Sequence, residues 1–137
     1  MIASSEWKSG TQFEGRSESG HAILFDTDAA HTMGPSPMEM VLAALCACTS
    51  VDVVGILAKK RQRLASLVVR AVAEQAPDAP RVFTAIHVTY VVGGAGLDHK
   101  AVEDAVSLSK EKYCSVSIML GRAMEMTSSI EYRETPV

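Results

Sequence analysis

The chain is 137 residues long, carries a formal net charge of −3, and is 47% hydrophobic with only 5% aromatic residues. That length suits one domain with a real core and is too short for two ordinary ones, so a single domain over residues 1–137 is expected, with Ala, Val, Leu and Met filling its interior. Basic residues are scattered apart from Lys59, Lys60, Arg61 and Arg63, which excludes a phosphate-tracking surface and a nucleic-acid partner.

The N-terminal MIASSEWKSG has no basic segment followed by an apolar block. No apolar run is read as reaching the ~20 residues of a membrane span, so a cytoplasmic protein with no membrane partner is expected. SEWKSG, TQFEGRSES and HAILFDTD read as short strands punctuated by Gly10, Gly15 and Gly20, an N-terminal β-meander over about 1–28. The turn-rich AAHTMGPS then delivers the chain to a central helix over about 36–60. Its start has clear chemistry: Ser36 suits the N-cap, Pro37 the first helical position, and Glu39 can close a capping box on Ser36. From Met38 to Cys48 only Glu39 is charged, so this half should be wrapped by other elements.

ASLVVRAVAEQ and RVFTAIHVTYVV, β-branched and separated by APDAP, predict a hairpin. LDHKAVEDAVSLSKEKY predicts an amphipathic helix with Asp98 as its N-cap, and Cys114 opens a further short helix over SVSIMLGRA. The last segment alternates, with Met124, Met126, Ser128, Ile130 and Tyr132 on one face, and predicts a half-exposed strand. The order βββ, α, ββ, α, α, β makes an α+β domain with largely antiparallel sheet.

Three cysteines, an odd number without a secretion signal, point to reduced thiols rather than a disulfide framework. Cys46 and Cys48 are two apart on a helix and point to nearly opposite sides, so they cannot share one site. At a helix start, Cys114 would meet unpaired amides that favour a thiolate. A central-helix thiol and a helix-start thiol brought together would form a peroxidatic and resolving pair, the first becoming a sulfenic acid and the second condensing with it to a disulfide. A buried small-hydrophobe role for each cysteine stands beside that reading.

PSPMEMVLAALCACTSVDVV, followed some sixty residues later by EKYCSVSIML, resembles the osmotically inducible protein C and organic hydroperoxide resistance superfamily (OsmC/Ohr), most closely its YhfA-like branch. The resemblance spans nearly the whole chain. It implies an OsmC-like α+β fold, antiparallel sheets with a long buried central helix, formed as an intertwined homodimer with shared sites. It also implies a cofactor-free thiol peroxidase for organic hydroperoxides, recycled by an external dithiol reductant. By position Cys48 matches the peroxidatic and Cys114 the resolving cysteine, while Cys46 matches neither.

In the peroxidase branches the residue after the helix-opening proline is usually a glutamate holding an arginine over the thiol. Here that position is Met38, and Glu39 follows it. Glu39 is therefore either a thiolate-stabilising carboxylate or the capping-box residue alone. Arg16, the sole arginine upstream of the central helix, either reaches a site or is an exposed strand charge. Asp52, one turn after Cys48, either orients a cation or is a structural carboxylate. Met38, Val41, Leu45 and Ile118 are expected to line an apolar pocket for an alkyl or lipid tail. No histidine spacing suits a metal. The rival reading from another class is a non-catalytic binder of a small apolar or electrophilic ligand in the dimer-interface pocket.

Overall fold

The structure, a computed structural model, describes residues 1–136. The chain divides into two compact units, Met1–Val41 and the remainder from Leu42 onward.

In the first unit β1 (Ala3–Ser9), β2 (Gln12–Ser17) and β3 (Ala22–Asp26) form an antiparallel meander in that order. Gly10 turns β1 into β2 with φ +49°, a backbone state that an L side chain adopts at a cost. The loop after β3 is organised by Asp26, whose buried carboxylate accepts from the Thr11 hydroxyl at 2.7 Å and from the Asp28 and Met33 amides at 3.1 Å each. Gly34 then passes so close to β3 that a Cβ there would run into the Leu24 carbonyl.

α1 (Pro37–Lys59) opens on the capping box read from the sequence. The Glu39 carboxylate accepts from the Ser36 amide at 2.7 Å, and the Glu39 amide donates to the Ser36 hydroxyl at 3.2 Å. The helix continues into the second unit, where Leu45, Thr49, Val53 and Leu57, each four residues apart, form one buried stripe.

The second unit holds a three-stranded sheet in the order β4 (Ser66–Gln75), β5 (Phe83–Gly93), β6 (Glu125–Arg133). β4 and β5 pair antiparallel as the predicted hairpin. β6 runs parallel to β5, so this sheet is mixed rather than antiparallel throughout. Two parallel neighbours need a crossover of a dozen or more residues, and residues 94–124 supply it as α2 (His99–Leu108), a π turn (Ser109–Tyr113) and α3 (Ser115–Gly121). On β5 Ile86, Val88, Tyr90 and Val92 are buried, and on α2 Ala101, Val102, Ala105 and Val106 are buried too. On β6 Met126, Ser128, Ile130 and Tyr132 are the more covered residues, as the alternation requires.

One expectation is corrected. An 18-residue window of α1 reaches a mean hydropathy of 2.2, so this helix is long and apolar enough to cross a membrane. Thr49, Ser50 and Asp52 interrupt the apolar run in the sequence but do not outweigh the Ala, Val, Leu and Cys around them. The expectation that this helix is buried all round is corrected as well: 22% of that window is buried, and α1 encloses one stripe while Ala43, Ala44, Ala47, Val51 and Val54 stay exposed.

Asp26 is hydrogen-bonded chiefly by Thr11 and then by Asp28, which holds its carboxyl below the usual range. A depressed folded-state value means that its stabilising contribution is present above the ordinary Asp range near pH ~3.9 and is lost as pH falls through the lower folded value. Acid titration of thermal stability should therefore show a steeper loss below about pH 4 for the wild type than for Asp26→Asn, which should also melt lower at neutral pH. Leu57→Ala, emptying a fully buried position, should cost about 2–5 kcal/mol in denaturant titration.

Candidate redox site

Cys48 and Cys46 lie on different sides of α1, as their spacing demands. The Cys46 sulfur faces the backbone of Ala71 on β4, and burial pushes its thiol pKa up. It is a packing residue of the second unit. Cys48 is half-buried and immediately precedes Thr49 on the buried stripe.

Cys114 reaches the same place from the crossover. α2 begins at the Asp98 N-cap, whose side chain accepts from the Lys100 amide at 2.9 Å, and its buried face carries Ala101, Val102, Ala105 and Val106. The chain then widens into the π turn, closed by the Cys114 amide donating to the Ser109 carbonyl at 2.8 Å. Cys114 becomes the N-cap of α3, its sulfur accepting from the Ser117 amide at 3.4 Å.

Cys114 is 0% exposed, and Cys48 lies close enough to act on its thiol. The two sulfurs, 66 positions apart in sequence, are thus neighbours within the second unit. Burial raises the Cys114 thiol pKa first, the Ser117 bonds lower it by less, and Cys48 raises it further. The expectation that helix-start amides would yield a thiolate at Cys114 is overturned, because desolvation of a fully enclosed sulfur outweighs a single turn of amides.

Beside the thiols runs a buried polar chain across three elements. The Thr49 hydroxyl lies 2.8 Å from the Tyr90 hydroxyl of β5 and 2.8 Å from the Ser109 hydroxyl of the π turn. Ser109 donates to the Asp52 carboxylate at 2.9 Å. Thr49, Ser109 and Tyr90 are all enclosed, and among the described residues no buried side-chain nitrogen or oxygen lacks a partner. Burial raises the Tyr90 pKa; the Thr49 bond lowers it by less, and Cys114, Cys46 and Asp52 then add smaller upward effects. Asp52 is thus engaged by a hydroxyl of the π turn.

Sequence reading singled out none of Thr49, Ser109 and Tyr90. The available signal was a hydroxyl on each apolar stripe: Thr49 between Leu45 and Val53, Ser109 four residues after Ala105, and Tyr90 on the inward face of β5.

Arg16 donates to the Glu14 carboxylate of its own strand, the central one of the meander, through Nε at 2.8 Å and Nη2 at 2.7 Å, with its side chain exposed. Glu39 is occupied by Ser36, whose hydrogen bonds hold its carboxyl below the ordinary range. Of the expected pocket residues, Met38 and Val41 belong to the first unit, with Met38 at the exposed margin. Leu45 is wholly enclosed in the core of the second unit and Ile118 is half-buried on α3. Among the described residues no group of three or more His, Cys, Asp or Glu could hold a metal ion.

A sequence profile of the family described as OsmC-like protein matches residues 29–129. The chain belongs to the OsmC-like family. It is 46% identical over 131 residues to the Escherichia coli K12 protein YhfA, covering 96% of this chain and 97% of that one. A crystal structure of a hypothetical protein from Aquifex aeolicus VF5 is 31% identical, covers 97% of this chain and 96% of its own, and superposes with a TM-score of 0.86. The organic hydroperoxide resistance protein OhrB of Bacillus subtilis shares the fold, with a TM-score of 0.66, at 19% identity over 96% of this chain and 98% of that one. The α+β class with a central helix is that of its relatives.

In the folded protein, thiol labelling with iodoacetamide should modify Cys48 well before Cys114, because Cys48 is half-buried and Cys114 wholly enclosed. Equal labelling of both, followed by peptide mass spectrometry, would contradict the burial described above.

Proposed function

We propose that the protein is a thiol-dependent peroxidase that reduces organic hydroperoxides, with Cys48 attacking and Cys114 resolving. The observation that carries this reading is the proximity of a half-buried cysteine, Cys48, to a fully enclosed one, Cys114. The Cys48 thiolate attacks the peroxide oxygen, the O–O bond breaks, and the alkoxide leaves as an alcohol after taking a proton. Cys48 is left as a sulfenic acid. The Cys114 sulfur then attacks the Cys48 sulfur; an S–S bond forms, the S–O bond breaks, and water departs with the Cys114 proton. An external dithiol returns two electrons and two protons. The two thiols supply the reducing equivalents, so the cycle calls for no cofactor.

Protonation of Cys114 suits the resolving role, since a sulfur that stays a thiol until the sulfenic acid appears does not compete for peroxide. Relatives in fold that are named for organic hydroperoxide resistance favour the same substrate class. A homodimer in the cytoplasm completes the proposal. Its support is the outer face of α1, where Val51 is 73% and Val54 46% exposed, an apolar surface that a second copy would cover.

The commitment of Arg16 to Glu14 and of Glu39 to Ser36 favours a second reading, a binder whose thiols line a pocket for a small apolar or electrophilic ligand. One equivalent of cumene hydroperoxide separates the two. Catalysis gives rapid loss of the mass of two hydrogen atoms with a Cys48–Cys114 cross-link, whereas slow or mixed oxidation supports the binder. Cys48→Ser should lower peroxide consumption by several orders of magnitude, as removal of a nucleophile does. Cys114→Ser should accumulate a sulfenic acid at Cys48 that dimedone captures.

A further inference from the structure

We infer that the hydrogen bond between Thr49 and Ser109 is a clamp that sets the approach of Cys48 to Cys114, making both hydroxyl residues positioning residues for disulfide closure. The inference deepens the peroxidase reading and rests on it.

The clamp follows from where each hydroxyl sits. Thr49 is the next residue after Cys48 on α1. Its side chain reaches the Ser109 hydroxyl at 2.8 Å, and the Ser109 carbonyl accepts from the Cys114 amide at 2.8 Å. Two hydrogen bonds therefore join the backbone that carries one sulfur to the backbone that carries the other. The π turn between Ser109 and Cys114 accommodates an extra residue in its hydrogen-bonded ring, a geometry seldom sustained beyond one turn. Fixing its first residue fixes its last.

The polarity of the chain is determined. Ser109 has one hydroxyl proton and gives it to the Asp52 carboxylate, so Thr49 must donate to Ser109, and Tyr90 must donate to Thr49. Each hydroxyl then has a single orientation, anchored on a charged acceptor, which makes the bonds stronger than a neutral chain would be. Thr49 and Ser109 are each 0% exposed, so breaking their bond leaves a donor in a dry interior with no water to replace its partner.

Disulfides tolerate little error, with Cβ atoms about 3.5–4.5 Å apart and a dihedral near 90°, so a small slip of the π turn along α1 lowers closure sharply. Tyr90 belongs to the same buried chain but lies off the path between the sulfurs. A network that merely satisfied core hydroxyls would make Tyr90 as important for closure as Thr49. The clamp does not.

The experiment equilibrates the full-length protein in glutathione redox buffers and measures the effective concentration of the Cys48–Cys114 pair. Thr49→Val and Ser109→Ala should each lower it at least about tenfold, the scale on which sub-ångström misplacement acts. Thr49→Ser, which keeps the hydroxyl, should restore it, and Tyr90→Phe should stay close to wild type even where it lowers the melting temperature. Wild-type values for both Thr49→Val and Ser109→Ala, or a fall in Tyr90→Phe as large as theirs, would overturn the clamp. Should one of the two variants fail to fold, the other decides. Consumption of cumene hydroperoxide by the wild type is read in parallel. A clamp effect without peroxide consumption overturns the peroxidase reading alone, and absence of any Cys48–Cys114 disulfide in the wild type overturns both.

Discussion

A single buried hydroxyl, that of Thr49, joins the three elements on which the second unit depends. α1 carries it, β5 meets it through Tyr90, and the π turn meets it through Ser109. Hydrogen bonds of this kind contribute only about 0.5–1.5 kcal/mol net, yet leaving one of these groups unpaired in the interior costs about 1–3 kcal/mol. The asymmetry makes the packing discriminating. Apolar side chains would accept α1 at several rotations or slides, whereas a hydroxyl that must find two partners, one of them held by a carboxylate, accepts one.

That constraint decides what sits beside it. Cys48 is one residue from Thr49, and Cys114 is hydrogen-bonded through its amide to Ser109, so the register of α1 against the crossover is also the register of the two sulfurs. Two effects then compete at Cys114. Helix-start amides favour the anion, and enclosure favours the neutral thiol; enclosure prevails because the sulfur is wholly removed from water. Of this pair, Cys48 is the half-buried member. An asymmetry between a half-buried and a fully enclosed cysteine is what a two-step thiol cycle requires, and it arises here from position along one helix and one turn.

The elements themselves were legible because their signals are local. Ser36, Pro37 and Glu39 announce the start of α1 through chemistry confined to four residues, and the same atoms make the cap in the folded chain. Alternation over Met126, Ser128, Ile130 and Tyr132 marks the buried face of β6 for the same reason. The direction of β6 was not legible, since alternation is identical in parallel and antiparallel strands and only the crossover decides it. The length of the apolar stretch in α1 was also misjudged, because scattered hydroxyls and one carboxylate looked like interruptions but serve as the helix's polar contacts.

The candidate site divides along the same line. By itself the sequence determined the family resemblance, the cysteine motifs and the impossibility of Cys46 and Cys48 sharing a face, all of which follow from residue identity and helical periodicity. Only tertiary structure decided that Cys48 and Cys114 come close together, that Asp52 serves Ser109, and that Thr49, Ser109 and Tyr90 form one chain. Those contacts join residues 41 to 66 positions apart. Nothing local encodes such a meeting: it is fixed when burial of apolar stripes and satisfaction of every enclosed hydroxyl are solved together.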